Sequence, residues 1–280
     1  MFYRFCKQKA LAGMQRRQCI ITSERKKVKN LGLALDLGRN FRNFRCLMPD
    51  SMEKHYVRSL FDAIAHRYDL LNHLLSGGID LYWRRRAIAE LVDLGPKRIL
   101  DVATGTADFA IASLKLGPEE VIGVDIADRM LSIGQAKIAR KGLGHRISLR
   151  RGDAEHLDFP QDAFDAAIVA FGVRNFEDLA LGLAGMYRVL RPGGRIVVLE
   201  FSHPRSSPFK QLYYLYFHYI LPLLGRIISR HKEAYTYLQD SVMRFPEGAD
   251  FRSILQKTGF TRTRETRLTG GIATIYTGTK

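Results

Sequence analysis

The sequence has little cysteine, a single tryptophan and no apolar run long enough to cross a bilayer. All three cysteines precede residue 50, so the rest of the chain cannot form an internal disulfide. Their spacing matches no metal-binding pattern, and no other cluster of metal ligands is apparent, so we expect no bound metal. The apolar stretch 212–224 falls short of the roughly 18 residues that a spanning helix needs. A multi-pass membrane protein is therefore excluded.

The net charge of +16 is unevenly distributed along the chain. Residues 1–50 hold 12 Lys and Arg against 3 acids, a net of +9, whereas residues 51–280 hold 32 against 25, a net of +7. We interpret 1–50 as a basic leader outside the fold, most simply a translated leader or an overlong gene model. A transit peptide and a basic arm are the alternatives. Because the excess is concentrated there, a nucleic-acid-binding module is disfavoured.

From residue 51 onward, short apolar runs alternate with segments of helical periodicity, which predicts right-handed βαβ units and a doubly wound sheet. We predict one domain over 51–280. The predicted strands are 98–102, 121–125, 147–151, 164–170 and 195–201, and the predicted helices are 108–116, 128–141 and 178–190.

The end of the chain departs from that alternation. Two strand-like runs, 261–267 and 272–277, are separated by a glycine-containing turn at 268–271, which predicts an antiparallel hairpin. A mostly parallel sheet that ends in an antiparallel hairpin is typical of Rossmann-like methyltransferases that use S-adenosylmethionine, whereas nicotinamide-binding domains usually keep a parallel sheet.

Three sequence elements follow successive predicted strands, so they are expected at one edge of the sheet. The first is the turn from Asp101 to Asp108, where Gly105 allows a ligand to approach the backbone. The second is Asp125, an acid suited to ribose hydroxyls, and the third contains Asp153, an acid suited to an adenine amino group. A tight turn, a helix cap and a surface acid are the respective alternatives. Their conjunction favours a nucleoside-binding crevice.

This turn lacks the fuller run of glycines that a pyrophosphate favours. The turn Leu190–Gly194 before the fifth strand also resembles a recurrent methyltransferase element. Methyl transfer is therefore favoured over hydride transfer.

Several longer motifs are more specific, and with them residues 52–280 resemble the C-methyltransferases of menaquinone and ubiquinone biosynthesis. The motifs are FDAIAHRYDLLN (61–72), YWRR (82–85), DVATGTAD (101–108), FGVRNF (171–176), YRVLRPGG (187–194), LEFS (199–202) and YTYL (235–238), with Ser241 and FP (245–246). The resemblance implies S-adenosyl-L-methionine as methyl donor and a polyprenyl quinol as substrate.

The resemblance assigns cofactor-binding positions to Thr106, Asp125, Asp153 and Ala154. One position departs from the ubiquinone-type relatives, because Ala170 stands where they carry a serine that contacts the cofactor. The segment 61–85 is more similar to the menaquinone branch. We therefore expect demethylmenaquinol as substrate, with the benzoquinol precursor of ubiquinone as the alternative.

The implied reaction needs a ring carbon made nucleophilic by loss of a phenolic proton. Arg174, which follows the fourth strand, is our candidate for stabilising the phenolate, and a structural salt bridge is the alternative. His203 and Tyr235 or Tyr237 are candidates for a base or for holding one through a water, and a structural role is the alternative for His203. Tyr68 and Asn72 are candidates for contacts with the methionine moiety or the substrate, with packing as the alternative.

The segment 209–228 is rich in tyrosine and leucine and lies in a predicted substrate-recognition insertion near 202–246. Its composition favours contact with a polyprenyl tail or a membrane surface, and a core helix or a homodimer contact is the alternative. We expect a cytoplasmic protein with peripheral contact at the inner face of the membrane. We expect no nucleic-acid partner.

Overall fold

The computed structural model describes residues 54–63, 65–66, 76–204, 207, 210–211, 215 and 232–280, with the side chains of 232–236 and 239 excepted. Several predictions lie outside these residues. They concern the basic leader, Tyr68, Asn72, the side chain of Tyr235 and most of the segment 209–228.

Among the described residues, seven strands form one sheet in the order β3-β2-β1-β4-β5-β7-β6. The first five pair in parallel, and β7 pairs antiparallel with both β5 and β6. The predicted fold class is confirmed. The strands are β1 (Arg98–Val102), β2 (Glu120–Asp125), β3 (Ile147–Arg151), β4 (Phe164–Ala170), β5 (Leu190–Phe201), β6 (Thr261–Leu268) and β7 (Ala273–Thr279).

Helices cover the sheet, and another helical stretch, 54–63 with 65–66, precedes it. The helices are α1 (Ile79–Ala89), α2 (Asp108–Ser113), α3 (Asp128–Arg140), α4 (Leu179–Val189), α5 (Lys232–Arg244) and α6 (Ala249–Lys257). Within the described residues, no helix is long and apolar enough to cross a membrane.

The central strands β1 and β4 are mostly apolar because both of their faces are covered. In β4, Phe164 and Val169 belong to one core cluster, whereas Ala166 and Ile168 belong to a second cluster. All four side chains are fully buried. The parallel centre of the sheet therefore separates two cores.

Most predicted element boundaries agree with the structure to within one or two residues, but the start of β5 is an exception. The strand begins at Leu190, which pairs with Phe164, and the register then shifts before Arg195 pairs with Ala166. The predicted turn 191–194 is therefore an irregularity within a strand. Gly193 has a φ of 81°, which only glycine adopts at little cost.

Gly123, in the middle of β2, provides a test of how tightly the sheet edge is packed. A Cβ there would lie 2.6 Å from Leu149 Cδ2 and 2.8 Å from Thr104 Oγ1. We expect Gly123→Ala to lower the free energy of unfolding by about 1–3 kcal/mol, measured by denaturant unfolding. Gly144→Ala is the control, since a Cβ there meets nothing within 4 Å. Equal stability of the two variants would contradict this packing.

Candidate active site

An open crevice of about 710 Å³, including its solvent-filled mouth, lies at the carboxyl ends of the parallel strands. Its walls come from the turns after β1, β2, β3 and β4 and from the helical stretch 54–63. The lining residues are Lys54, Val57, Phe61, Ala103, Gly105, Val124, Asp125, Ile126, Met130, Gly152, Asp153, Ala154, Glu155, Ala170, Phe171, Gly172, Asn175 and Phe176.

The turn after β1 has an unusual backbone. Gly105 has a φ of 55°, and its neighbours Ala103 and Ala107 also have positive φ values, of 54° and 67°. These alanines occupy the outer positions of a G-x-G-x-G pattern, and they adopt the left-handed conformation that glycine normally supplies. Each costs roughly 1–2 kcal/mol relative to a right-handed residue. Such strain clusters at functional sites, so the turn is a strong candidate for ligand contact.

Asp125, the last residue of β2, fixes this turn. Its Oδ2 accepts a hydrogen bond from the backbone N–H of Gly105 at 2.8 Å, and its Oδ1 accepts one from Ala127 at 2.9 Å. Burial raises the pKa of Asp125, although these N–H groups oppose the shift. Each oxygen retains acceptor capacity, as ribose hydroxyls would require. Ala127 is the residue that precedes α3, and no side-chain hydrogen bond caps this helix, so Asp125 is not the helix cap that the sequence left open as an alternative.

Asp153, after β3, is held by a lysine that sequence reasoning missed. Lys54 Nζ lies 2.8 Å from Asp153 Oδ2, 2.8 Å from Glu155 Oε2 and 3.6 Å from Glu177 Oε2. Burial opposes the shift, but the hydrogen bond from Lys54 lowers the pKa of Asp153. Lys54 therefore joins the helical stretch 54–63 to the crevice wall.

Other residues of this stretch strengthen the attachment. Arg58 pairs with Asp128, and Asp62 Oδ1 accepts a hydrogen bond from the backbone N–H of Arg129 at 2.9 Å. The stretch consequently contacts the first turn of α3 as well as the turn after β3. Val57 and Phe61, four residues apart, face the crevice. The sequence signal for this wall was the motif 61–72, which begins at Phe61.

Two predicted cofactor positions, Asp101 and Thr106, lie beside the crevice and do not line it. Asp101 is 1% exposed, and its Oδ2 accepts a hydrogen bond from Thr104 Oγ1 at 2.6 Å. Its Oδ1 is buried and has no hydrogen-bond partner among the described residues. The Oγ1 of Thr106 accepts a hydrogen bond from Lys137 Nζ at 3.3 Å.

Arg174 also lies outside the crevice lining. Its guanidinium is 2.7 Å from Glu200 Oε1, with the two side chains 4% and 0% exposed, and it donates to the carbonyl oxygen of Phe171. The buried ion pair is the alternative that the sequence left open. The Nε of Arg174 is buried and has no acceptor among the described residues.

Asn175, the next residue, does line the crevice. Its Oδ1 accepts a hydrogen bond from Tyr237 Oη at 3.0 Å, which connects α5 to the motif after β4. The ring of Tyr237 packs edge-on against Tyr56 of the helical stretch, with centroids 6.3 Å apart. His203, another predicted candidate for the base, lies near Glu247. The carboxylate of Glu247 accepts a hydrogen bond from the backbone N–H of His203 at 2.7 Å.

The polar and apolar groups of the crevice suit an adenosine-like cofactor, and its turns allow a ligand to approach the backbone closely. Carboxylates from Asp125 and Asp153 stand beside apolar walls that contain Met130 and Phe61. A Cβ at Gly172 would lie 2.6 Å from the Cβ of Ala103, so the two turns that bound the crevice nearly touch. Among the described residues, no group of three His, Cys, Asp or Glu side chains is arranged to hold a metal.

Solved structures share this architecture. A methyltransferase from Thermotoga maritima aligns with a TM-score of 0.56 at 20% identity, covering 79% of this chain and 99% of that chain. One from Methanococcus maripaludis aligns with a TM-score of 0.54 at 19% identity, covering 77% and 91%. The fold is that of the S-adenosylmethionine-dependent methyltransferases.

Sequence comparisons define the family more narrowly. The model of the ubiE/COQ5 methyltransferase family matches residues 49–280, and the chain belongs to this family. The chain is 46% identical over 232 residues to demethylmenaquinone methyltransferase of Bacteroides fragilis, covering 82% of this chain and 95% of that protein. It is 47% identical to the enzyme of that name from Deinococcus radiodurans, covering 80% and 92%. It is 45% identical to the ubiquinone/menaquinone biosynthesis C-methyltransferase UbiE of Geotalea daltonii, covering 80% and 96%.

The burial of Asp101 gives a pH prediction. Burial raises its pKa to about 7, against the hydrogen bond from Thr104. The pKa of an aspartate in the unfolded chain is about 3.9. Between these two pKa values the folded state binds one more proton than the unfolded state, so the contribution of Asp101 to stability falls as the pH rises. We expect Asp101→Asn to gain stability relative to wild type from about pH 4 to pH 7. Denaturant unfolding across that range checks this, and a constant difference between the proteins would contradict it.

The Lys54 contacts predict local stability of the helical stretch. Lys54→Met leaves three neighbouring carboxylates without their shared cation, so we expect amide hydrogen exchange over residues 56–63 to accelerate about fivefold. The control is Lys97→Met, which removes an exposed ion pair with Glu119. The stability that the contact between Lys54 and Asp153 contributes is present above about pH 3.9, the pKa of Asp153 in the unfolded chain, and is lost as the pH falls. Unchanged exchange in Lys54→Met at neutral pH would refute the attachment.

Proposed function

We propose that this protein transfers the methyl group of S-adenosyl-L-methionine to a ring carbon of demethylmenaquinol, giving menaquinol. The observation that carries the proposal is the crevice, in which acids suited to an adenosine lie beside the motif after β4. Family membership and the names of the relatives support the same reaction. C-methylation of the benzoquinol precursor of ubiquinone is the second candidate, favoured by the UbiE relative.

We propose that Gly105, Asp125, Asp153 and Ala154 bind the methyl donor directly, since all four line the crevice. Asp125 is suited to the ribose hydroxyls and Asp153 to the adenine amino group. Lys54 Nζ contacts Asp153 Oδ2 and Glu155 Oε2. Lys54 would therefore have to shift toward Glu155 when Asp153 Oδ2 accepts a hydrogen bond from a ligand.

We propose supporting roles for Asp101 and Thr106, which lie behind the turn. The buried Oδ1 of Asp101 is an acceptor suited to an ammonium group at the amino-acid end of the donor. Thr106 is held against Lys137 and would keep the start of α2 in place. S-adenosyl-L-methionine supplies an electrophilic methyl group on a sulfonium when it is bound.

The residues after β4 and β5 are suited to activating the quinol. A ring carbon becomes nucleophilic when the adjacent hydroxyl loses its proton, and a nearby cation favours the phenolate. We propose that Arg174 provides this stabilisation, because its Nε–H is a buried donor that no described residue accepts. Glu200 holds the guanidinium in position, and Asn175, fixed by Tyr237, faces the crevice.

The polyprenyl tail of such a substrate resides in a bilayer. We therefore also propose peripheral contact of the protein with the inner face of the membrane, from a cytoplasmic location. A homodimer contact within the insertion near 202–246 remains a prediction.

Methyl transfer from labelled S-adenosyl-L-methionine tests the reaction. We expect label in demethylmenaquinol, and label in the demethylated benzoquinol alone would assign the ubiquinone branch. Absence of label in both quinols, with donor binding intact, would refute the proposal.

The role of Arg174 is tested with Arg174→Gln/Glu200→Gln, because removing one charge alone would leave its buried partner uncompensated. We expect kcat to fall about 100-fold with donor affinity retained. The control, Arg252→Gln/Glu265→Gln, removes an ion pair between α6 and β6 and should leave kcat unchanged. Unchanged kcat in the Arg174 variant would rule out catalysis by its charge.

A further inference from the structure

Helix α1 presents an exposed apolar surface that packing among the described residues does not explain. Ile79, Leu81 and Tyr82 are 40%, 44% and 50% exposed, although they lie together in its first turn. Scattered exposed apolar side chains are ordinary, but three within four residues form a patch.

The next turn of α1 adds positive charge to the same side. At 100° per residue, the exposed residues occupy one continuous arc, and the buried residues occupy the remainder. The exposed arc contains Ile79, Leu81, Tyr82, Arg85, Arg86 and Ala89. The sole acid of the helix, Asp80, is buried and lies 3.7 Å from Arg84 Nε. The exposed arc is therefore apolar and basic, with no acidic side chain.

The first turn of α1 is fixed at the crevice edge of the sheet. Trp83 is 3% exposed, and its Nε1 donates a hydrogen bond to Thr269 Oγ1 at 2.8 Å. Its ring packs on Phe171, with centroids 6.1 Å apart, and Phe171 lines the crevice. The Arg84 guanidinium lies over the same ring. The exposed arc is thus held in a defined position relative to the site.

The other end of α1 points to the opposite edge of the sheet. After the helix, the carbonyl oxygen of Glu90 and the carboxylate of Asp93 accept from Arg195, which pairs with the early part of β4. An eleven-residue helix spans about 16 Å, so the apolar first turn is displaced toward the crevice.

We propose that the exposed arc of α1, formed by Ile79, Leu81, Tyr82, Arg85 and Arg86, is a docking surface for an anionic lipid bilayer. This inference rests on the proposed function, because a polyprenyl quinol has to reach the crevice from a membrane. Leucine, isoleucine and tyrosine enter the interfacial region, and arginines on the adjacent turn attract anionic headgroups. Docking here sets the crevice next to the lipid.

A second copy of the chain fits this surface poorly. A symmetric dimer apposes the same patch from each subunit, so Arg85 and Arg86 would lie near their own counterparts. Like charges at an interface disfavour the contact, whereas an anionic bilayer complements them.

Sedimentation of the full chain with phosphatidylcholine vesicles, with and without phosphatidylglycerol, tests the proposal. We expect binding to depend on phosphatidylglycerol. Arg85→Gln/Arg86→Gln should weaken it about 30-fold, because each basic residue near an anionic surface contributes about a factor of five. Leu81→Ser/Tyr82→Ser should weaken it on the order of tenfold.

The opposite edge of the sheet provides matched controls. Arg140→Gln/Lys141→Gln removes two adjacent exposed charges at the end of α3, and Val92→Ser removes an apolar side chain that is 67% exposed. We expect both controls to bind vesicles like wild type. Circular dichroism should show every variant folded, since all of these side chains are exposed.

Equal loss of vesicle binding in the controls, or full binding by both α1 variants, would overturn the proposal. A dimer in sedimentation velocity that Leu81→Ser/Tyr82→Ser dissociates, without vesicle binding by wild type, would assign the surface to a second copy and also overturn it. An assay of methyl transfer to a tail-less naphthoquinol in solution tests the proposed reaction without a membrane, and so distinguishes it from the proposed membrane docking. The α1 variants should match wild type in that assay, whereas failure of wild type there refutes the proposed reaction and leaves the vesicle result standing.

Discussion

The parallel register of β1 between β2 and β4 is the constraint on which the crevice depends. Asp101 pairs with Gly123 and Val102 with Val124, while Asp101 also faces Ile168 of β4. Parallel strands in this register end at one edge, so the turns after them must share the same space. They fit because Gly123 and Gly172 leave room where any Cβ would collide. The strained alanines of the turn after β1 are held by the same packing.

Electrostatics then divide the site into two parts. On the β2 and β3 side, acids predominate, and Lys54 shares its charge among Asp153, Glu155 and Glu177. On the β4 and β5 side, Arg174 and Glu200 form a buried pair whose net charge is zero. A cationic donor with hydroxyl and amino groups suits the first part. The second part holds the motif after β4 rigidly, which suits positioning of a ring with its reacting carbon.

The fold was largely predictable because its signals are local. The parallel strands are mostly apolar runs bounded by turns, and Asp178 caps α4 by accepting a hydrogen bond from the N–H of Leu181 at 2.9 Å. The error at the start of β5 arose because Pro192 and two glycines normally end a strand. Instead, β4 pairs with Leu190 before them and with Arg195 after them, by a register shift, and a residue pattern does not encode which partner a strand end will find.

The amino-acid sequence alone predicts the order of strands and helices, the edge that carries the site and the positions of Gly105, Asp125 and Asp153. Those features follow from periodicity and from motifs within single turns. Which side chains face the crevice depends on how the elements pack. The tertiary structure turned Arg174 toward Glu200, placed Asp101 behind the turn and brought Lys54, 99 residues away in sequence, against Asp153. Contacts between distant residues depend on how elements pack, and local patterns carry no information about the distances that result.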